Sequence, residues 1–389
     1  MKTPREENYF MPPEWAPHSA TWLSWPSNKI TFPERIINKV EDIYCRIISA
    51  LSHGEKIKLL VNNSAAKEKI QKKLRPFTYN DKHLIFYKIK TADVWIRDYG
   101  PIFLLSRNNR NITKRKGIRE EIRIRKRRGG KEGIEKGEGK RAIVKWKYNA
   151  YGEKYSDLLY DDIAGMDIAK VCGSGTKVAK VTKIFTPKMV LEGGSIEVNG
   201  EGTLLTTEQC LLNKNRNPNL SRNEIEKYLR DYLGVSKIIW LKSGIEGDDT
   251  DGHVDDFARF ISKGKIVCAC GNCNNKDNLS NLDGIALREN LRILHSSADT
   301  NGNKFEVIEL PMPKPIIDKS ENRQLPASYA NFYIGNKIVL LPIFNNPHDK
   351  KAIEILENSF PEREIVPIVA RELVFGYGGI HCITQQEPL

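Results

Sequence analysis

No run of about 18 consecutive apolar residues occurs in this chain, so the sequence predicts no membrane-spanning helix. The opening residues, Met1 to Tyr9, are charged and contain no apolar core segment, which argues against a secretory signal. Cysteine is sparse: seven in 389 residues, an odd number without framework spacing. That usage argues against a disulfide scaffold and for reduced thiols in a cytoplasmic compartment. Metal motifs are equally thin. Cys268-Ala269-Cys270-Gly271-Asn272-Cys273 offers three thiols in six residues, but a structural zinc site wants four ligands, usually in two separated pairs, and no second pair follows. Cys268 and Cys270 continue an apolar alternation and read as buried strand thiols, so a zinc hydrolase is a minor reading and no metal is expected.

Positive charge is abundant but local. Arg107 to Arg141 carries a net +10 of the chain's +13, leaving +3 for everything else. The segment has no aromatic residue and no sustained period, and apolar strands flank it at Ile102 to Leu105 and Ala142 to Trp146. It reads as an insertion at a hairpin tip, made mobile by like-charge repulsion. A nucleic-acid arm is the competing reading; it lacks the stacking aromatics of single-strand binders and leaves the polar residues described below unexplained.

The length suits two or three average domains or one large α/β domain with a sizeable core. Trp15, Trp22 and Trp25 read as packing residues of an extended segment. Pro33 is placed as the first residue of an amphipathic helix reaching about Leu51. Later the chain repeats a unit of hairpin, helix and strand. Its hairpins turn at Gly200, Gly264 and Gly335, spaced by 64 and 71 residues. Without the 35-residue insertion the chain accommodates about five such units.

One stretch stands out chemically. Asp248-Asp249-Thr250-Asp251-Gly252-His253-Val254-Asp255-Asp256 sets one histidine among five aspartates and runs into an alternating apolar segment. Read as a strand entry, His253 and Asp255 point the same way. Asp98, Glu192, His253 with Asp255, and Cys382 occupy similar places in successive units, each just before a hairpin. Units closing around an axis would bring them to one point.

A thiol, an imidazole and three carboxylates suit nucleophilic catalysis on a cation. Carboxylates raise a thiol's pKa and silence it toward neutral substrates. A planar guanidinium, by contrast, is gripped through paired N–H···O bonds, and its charge favours the thiolate. The predicted path is attack by Cys382 on the guanidinium carbon. His253 protonates the departing ammonia and then activates the water that releases a ureido product. His381, next to the nucleophile, is read as a supporting or packing residue.

The motifs Trp95-Ile96-Arg97-Asp98-Tyr99-Gly100-Pro101, Leu191-Glu192-Gly193-Gly194, Asp249 to Phe260, Ser328-Tyr329-Ala330-Asn331-Phe332-Tyr333 and Gly379-Ile380-His381-Cys382-Ile383-Thr384-Gln385-Gln386 together resemble the agmatine deiminase and bacterial-type peptidylarginine deiminase family of guanidine-modifying enzymes. They span the chain apart from the basic insertion. The resemblance implies an α/β fold, a five-bladed propeller of ββαβ modules around a central site. Residues 1–389 would then form a single catalytic domain with the 107–141 insertion.

It further implies a hydrolase acting on C–N bonds of linear amidines, without a cofactor. Cys382 would be the nucleophile and His253 the general acid/base. Asp98 and Asp255 would hold the guanidinium, Glu192 would orient His253 or the substrate, and Trp95 would line the pocket. Agmatine, converted to N-carbamoylputrescine and ammonia in polyamine synthesis, is the leading substrate. Peptidylarginine or free arginine, giving citrulline, is the alternative, and amidino transfer a remoter one. No membrane partner is expected, and self-association stays open. Two positions depart from the usual agmatine deiminase pattern: Gly379 stands where Asn is usual and Tyr99 where Thr is usual. Both are expected near the nucleophile or pocket.

Overall fold

The computed structural model describes residues 2–107, 140–173, 181–271 and 282–389. One local plan recurs in it five times: an antiparallel strand pair, a helix, then a strand returning parallel to the second of the pair. The pairs are Ile102–Ser106 with Arg141–Val144, Glu197–Val198 with Thr203–Thr207, Ala258–Ser262 with Lys265–Cys270, and Tyr333–Ile334 with Ile338–Ile343. The fifth joins distant parts of the chain, Thr384–Pro388 with His18–Ser24. Their parallel partners are Val181–Phe185, Lys237–Leu241, Glu306–Pro311, Glu364–Val369 and Lys56–Val61. Parallel neighbours cannot be joined by a tight turn. The helices Asp161–Gly173, Arg222–Leu233, Leu282–Ser296, Asp349–Ser359 and Glu34–Leu51 supply the crossovers. The result is a mixed α/β fold. A two-stranded ribbon, Ile316–Asp318 with Arg323–Leu325, falls outside the repeat and had no counterpart in the sequence reading.

Local chemistry explains the boundaries. Helix Arg222–Leu233 opens on a capping box between Ser221 and Glu224 and closes on Gly234 at φ 69°, a left-handed position that favours glycine. Helix Glu34–Leu51 buries Ile36, Val40, Ile43, Ile47 and Leu51, the three-to-four spacing of an apolar stripe. Pro33 is its N-cap rather than its first helical residue, because its ψ of 159° is still extended. Trp22 and Trp25 are buried, in keeping with a packing role.

The C-terminal strand is fastened by a buried carboxylate. Glu387 accepts hydrogen bonds from Trp22 Nε1 at 2.8 Å, Lys58 Nζ at 2.6 Å and Arg141 Nη1 at 3.2 Å. Ile102–Ser106 and Arg141–Val144 pair as the expected hairpin around the basic segment. Mobility was expected over 107–141: residues 108–139 lie outside the described residues, and Arg141 corrects the far boundary, since it is a buried strand residue bonded to Glu387. Cys45, Cys172, Cys210, Cys268 and Cys382 are free thiols, whereas Cys270 is disulfide-bonded, which corrects its reading as a reduced thiol. Among the described residues no helix is long and apolar enough to cross a membrane.

Candidate active site

Each expected site residue sits where an antiparallel strand pair begins. Asp98 lies on the short helix Ile96–Tyr99, which starts immediately after Trp95. Glu192 follows the bridge of Lys147 to Val190 and precedes the single turn Gly193–Ser195. Cys382 sits in the turn before Thr384–Pro388. His253 and Asp255 do not lie on a strand: Val254–Asp256 is a 3₁₀ turn, and the strand begins only at Ala258. Alternation of apolar residues does not distinguish the two, so the expected backbone was wrong although the side chains do converge.

Gly194 marks the point of convergence. Its N–H donates to Asp98 Oδ1 at 2.9 Å. A Cβ at Gly194 would stand 2.6 Å from His253 Nδ1 and 3.0 Å from both Asp255 Oδ2 and Asp98 Oδ1. No side chain fits there, so a glycine is needed for close approach. His253 Nδ1 is 3.7 Å from Asp98 Oδ1, and Tyr151 donates its hydroxyl to Asp98 Oδ2 at 2.8 Å.

Cys382 Sγ accepts from Asn331 Nδ2 at 3.3 Å and from the Gly379 N–H at 3.4 Å. Asn331 also donates to Asp256 at 2.8 Å and accepts from the His381 N–H at 2.9 Å. A Cβ at Gly379 would come within 2.3 Å of Asn331 Oδ1, so the unusual glycine is what this placement of Asn331 requires. Tyr99, the other departure, does not itself line the cavity but contacts Asp93, which does. It is fully buried, donates to the Asp93 carbonyl at 3.2 Å and belongs to the core.

The supporting layer is ionic. His381 Nδ1 lies 2.5 Å from Asp255 Oδ2, and its Nε2 lies 2.7 Å from Glu14 Oε2. Glu14 in turn meets Arg259 at 3.0 Å and Arg97 at 3.4 Å. Glu192 Oε1 pairs with Arg216 Nε at 2.8 Å, while its Oε2 makes no hydrogen bond among the described residues.

Burial and neighbouring charge set the protonation states. Burial, with Asp255, Asp256 and Asp98 adding to it, pushes the Cys382 thiol well above its usual value, against the opposing Gly379 N–H. Burial opposes charge on His253, yet Asp98, Cys210 and Asp255 outweigh it and raise the imidazole well above its ordinary range. Burial is the main reason that Asp98 is pushed up to about 6. Asp255 is also buried, but the His381 hydrogen bond and charge more than offset this and lower its pKa. These shifts favour the neutral thiol at Cys382 and the charged imidazole at His253.

Cys382, Asp98 and Trp95 line a cavity of about 530 Å³ that extends outward past Asp157, Asp249 and Glu321. Trp95 is held against Gly378, where a Cβ would come within 2.4 Å of the indole ring. Glu192, His253 and Asp255 are buried in the cluster adjoining the cavity.

The Porphyromonas-type peptidyl-arginine deiminase family model matches residues 10–388. The chain belongs to this family. Among its relatives, an agmatine deiminase of Ectopseudomonas mendocina is 34% identical over 99% of this chain and 97% of that protein. An agmatine deiminase of Medicago truncatula is 35% identical over 99% and 98%. The solved agmatine deiminase of Enterococcus faecalis superposes with a TM-score of 0.81 at 29% identity, covering 100% of this chain and 98% of that one.

Against this family background, several residues of the site escaped the sequence reading. Asn331 lay within a quoted motif but had no role attached. Tyr151 follows the basic insertion in a stretch without any motif, and its left-handed backbone at φ 60° leaves no sequence signal. Cys210 sits in a four-residue helix next to Leu211 and reads as core. Glu14 reaches His381 across 367 residues, a distance over which only a fold model, not spacing, can pair side chains.

Proposed function

We propose that this protein hydrolyses agmatine to N-carbamoylputrescine and ammonia through a covalent intermediate on Cys382. The observation that carries the choice of substrate is the charge of the cavity wall. Asp98, Asp157, Asp249, Asp318 and Glu321 face it, with Asp93 pushed up to about 7 by burial and so only partly charged, against Arg35 and Arg323. Arg323 is already paired with Asp249, and Asp157 has no ion-pair partner among the described residues. A dication with its second charge at the far end suits such a wall, whereas the α-carboxylate of arginine would meet like charge. Relatives named agmatine deiminases support the same substrate.

In the proposed path Asp98 and Asp255 grip the guanidinium. Its positive charge offsets the carboxylates that hold the thiol neutral, and the Cys382 proton leaves to solvent. The thiolate bonds to the guanidinium carbon, with Gly379 N–H and Asn331 Nδ2 beside the sulfur. His253 transfers its proton to the departing nitrogen, the C–N bond breaks and ammonia leaves. The now neutral imidazole takes a proton from water, the hydroxide attacks the amidino-thioether carbon, and the C–S bond breaks to give the ureido product and thiolate.

The five repeated strand-helix-strand units support a ring in which each unit forms a blade and the pairing of Thr384–Pro388 with His18–Ser24 closes it. We propose this five-bladed arrangement as a single catalytic domain.

The test compares agmatine, arginine and an arginine-containing peptide by ammonia release and ureido-product formation, with Cys382→Ala as control. The expected result is turnover of agmatine alone. Citrulline formation from the peptide would move the activity to protein modification. Amidino transfer to an amine without ammonia would replace hydrolysis.

A further inference from the structure

Cys210 is a buried thiol that the proposed chemistry does not use, and it stands against the residue that chemistry needs most. One ligand atom from each of Glu192, Cys210 and His253 lies within 4.8 Å of the other two. All three side chains are buried, at no more than 1% exposure. Two of them present an unused atom: Glu192 Oε2 and His253 Nε2 make no hydrogen bond among the described residues. A carboxylate oxygen, an imidazole nitrogen and a sulfur converging in this way form the donor set of a four-coordinate zinc site with one open position.

We propose that Glu192, Cys210 and His253 form an inhibitory site for Zn²⁺ or a similar thiophilic divalent cation. Ligand bonds of about 2.0–2.3 Å put tetrahedral ligands roughly 3.3–3.8 Å apart, so from separations of up to 4.8 Å the cluster contracts by up to about 1.5 Å on binding. The backbone around Cys210 is well anchored for this. Thr207 accepts from the Cys210 N–H at 3.2 Å and donates to the Gly252 carbonyl at 2.6 Å, tying the thiol to the segment that carries His253. Glu192 keeps its Oε1 bond to Arg216 and offers Oε2. The charge of Arg216 is countered by its pairing with Asp251.

On binding, the Cys210 thiol proton and the proton on the ligating His253 nitrogen pass to solvent, and sulfur and nitrogen each donate a lone pair to the ion. No oxidant or reductant takes part. His253 is then unable to shuttle protons, and turnover stops. This inhibitory consequence rests on the acid/base role proposed above for His253; the binding itself does not.

The competing grouping, Asp255, Asp256 and Cys382, also falls within 4.8 Å. There, Asp255 Oδ2 is engaged by His381, Asp256 Oδ1 by Asn331, and the sulfur by Gly379 and Asn331. Only Asp255 Oδ1 there is a buried atom lacking a hydrogen bond among the described residues, against two such atoms in the Cys210 set, which favours the latter.

The test adds Co²⁺ alone to the metal-free full-length protein and follows the thiolate-to-cobalt charge-transfer band. The expected result is a band that persists in Cys382→Ala and disappears in Cys210→Ala and in the near-isosteric Cys210→Ser, with folding followed by circular dichroism. Glu192→Gln keeps the band but weakens cobalt binding about tenfold or more. Zn²⁺ inhibits agmatine hydrolysis, a chelator reverses it, and half-inhibition of Cys210→Ser needs at least about tenfold more Zn²⁺. No band, a band lost with Cys382 rather than Cys210, or one that survives both substitutions would overturn the site. A cobalt band at Cys210 without zinc inhibition would leave the site standing and refute the role of His253.

Discussion

His381 is hydrogen-bonded to Asp255 at 2.5 Å, a contact between residues 126 positions apart in the chain. The same imidazole reaches Glu14 at 2.7 Å, so it spans two buried carboxylates and holds one of them toward the candidate site. In the proposed mechanism His381 is a positioning residue, acting through Asp255. In His381→Gln, which cannot bridge both carboxylates, kcat/KM for agmatine is expected to fall about 100-fold, with part of the loss in KM. A folded variant with unchanged KM and kcat would show that Asp255 needs no such support.

Cys382→Ala is expected to lose turnover on the order of 10⁶-fold while keeping its fold, since the side chain removed is small and adjoins a cavity. Trapping of labelled agmatine as an acid-stable adduct of the wild type, absent from the variant, would identify the sulfur as the attacking atom. Equal labelling of both proteins would place the covalent bond elsewhere.

Gly379→Ala introduces a Cβ 2.3 Å from Asn331 Oδ1. Asn331 must move, and with it the donor to Cys382 Sγ. Overpacking of this kind costs roughly 1–3 kcal/mol. The expected readouts are a lower unfolding midpoint and a lower kcat; a variant that matches the wild type in both would mean that Asn331 relocates freely.

The pH dependence follows from Asp98, pushed up to about 6 by burial. The guanidinium grip needs its carboxylate form, so kcat/KM is expected to fall as pH drops below about 6, measured with chelator present. Stability runs the other way. A carboxyl whose folded pKa exceeds its unfolded value of about 3.9 favours the folded state below that value. This contribution is lost as pH rises through about 6. Tyr151→Phe removes a donor to the ionised form and should move the acidic limb of the profile upward. A limb that stays in place would remove Asp98 as its source.

Glu387→Gln leaves Lys58 and Arg141 facing a neutral amide in a nearly dry setting. Breaking a buried pair from one side costs about 3–5 kcal/mol. Urea denaturation should report a loss of that order, and a change below about 1 kcal/mol would mean that solvent screens these pairs.

The legibility of this chain varied with the range of the interaction. Asp98, Glu192, His253, Asp255 and Cys382 could be read because each occupies the same phase of a repeated unit, a property visible within some tens of residues. Helix Arg222–Leu233 could be read because its capping box and Gly234 are local chemistry. Glu14 could not, since its partners Arg259 and His381 are fixed by tertiary pairing alone. Cys210 was indistinguishable from core, and the turn at Val254–Asp256 passed for strand because it runs straight into the apolar strand Ala258–Ser262. Tyr99 was expected near the nucleophile or the pocket, and it stands one layer behind the wall: its side chain is buried and bonds to Asp93, a lining residue.

Trp22 and Glu387 are bonded across 365 residues, and the sheet they share carries the turn that holds Cys382. Closing this sheet joins residues 365 positions apart, and the loop-closure entropy of so distant a pairing must be met before the contacts reward it. In the proposed mechanism the attacking sulfur therefore joins the carboxylates and the imidazole only through this long-range closure.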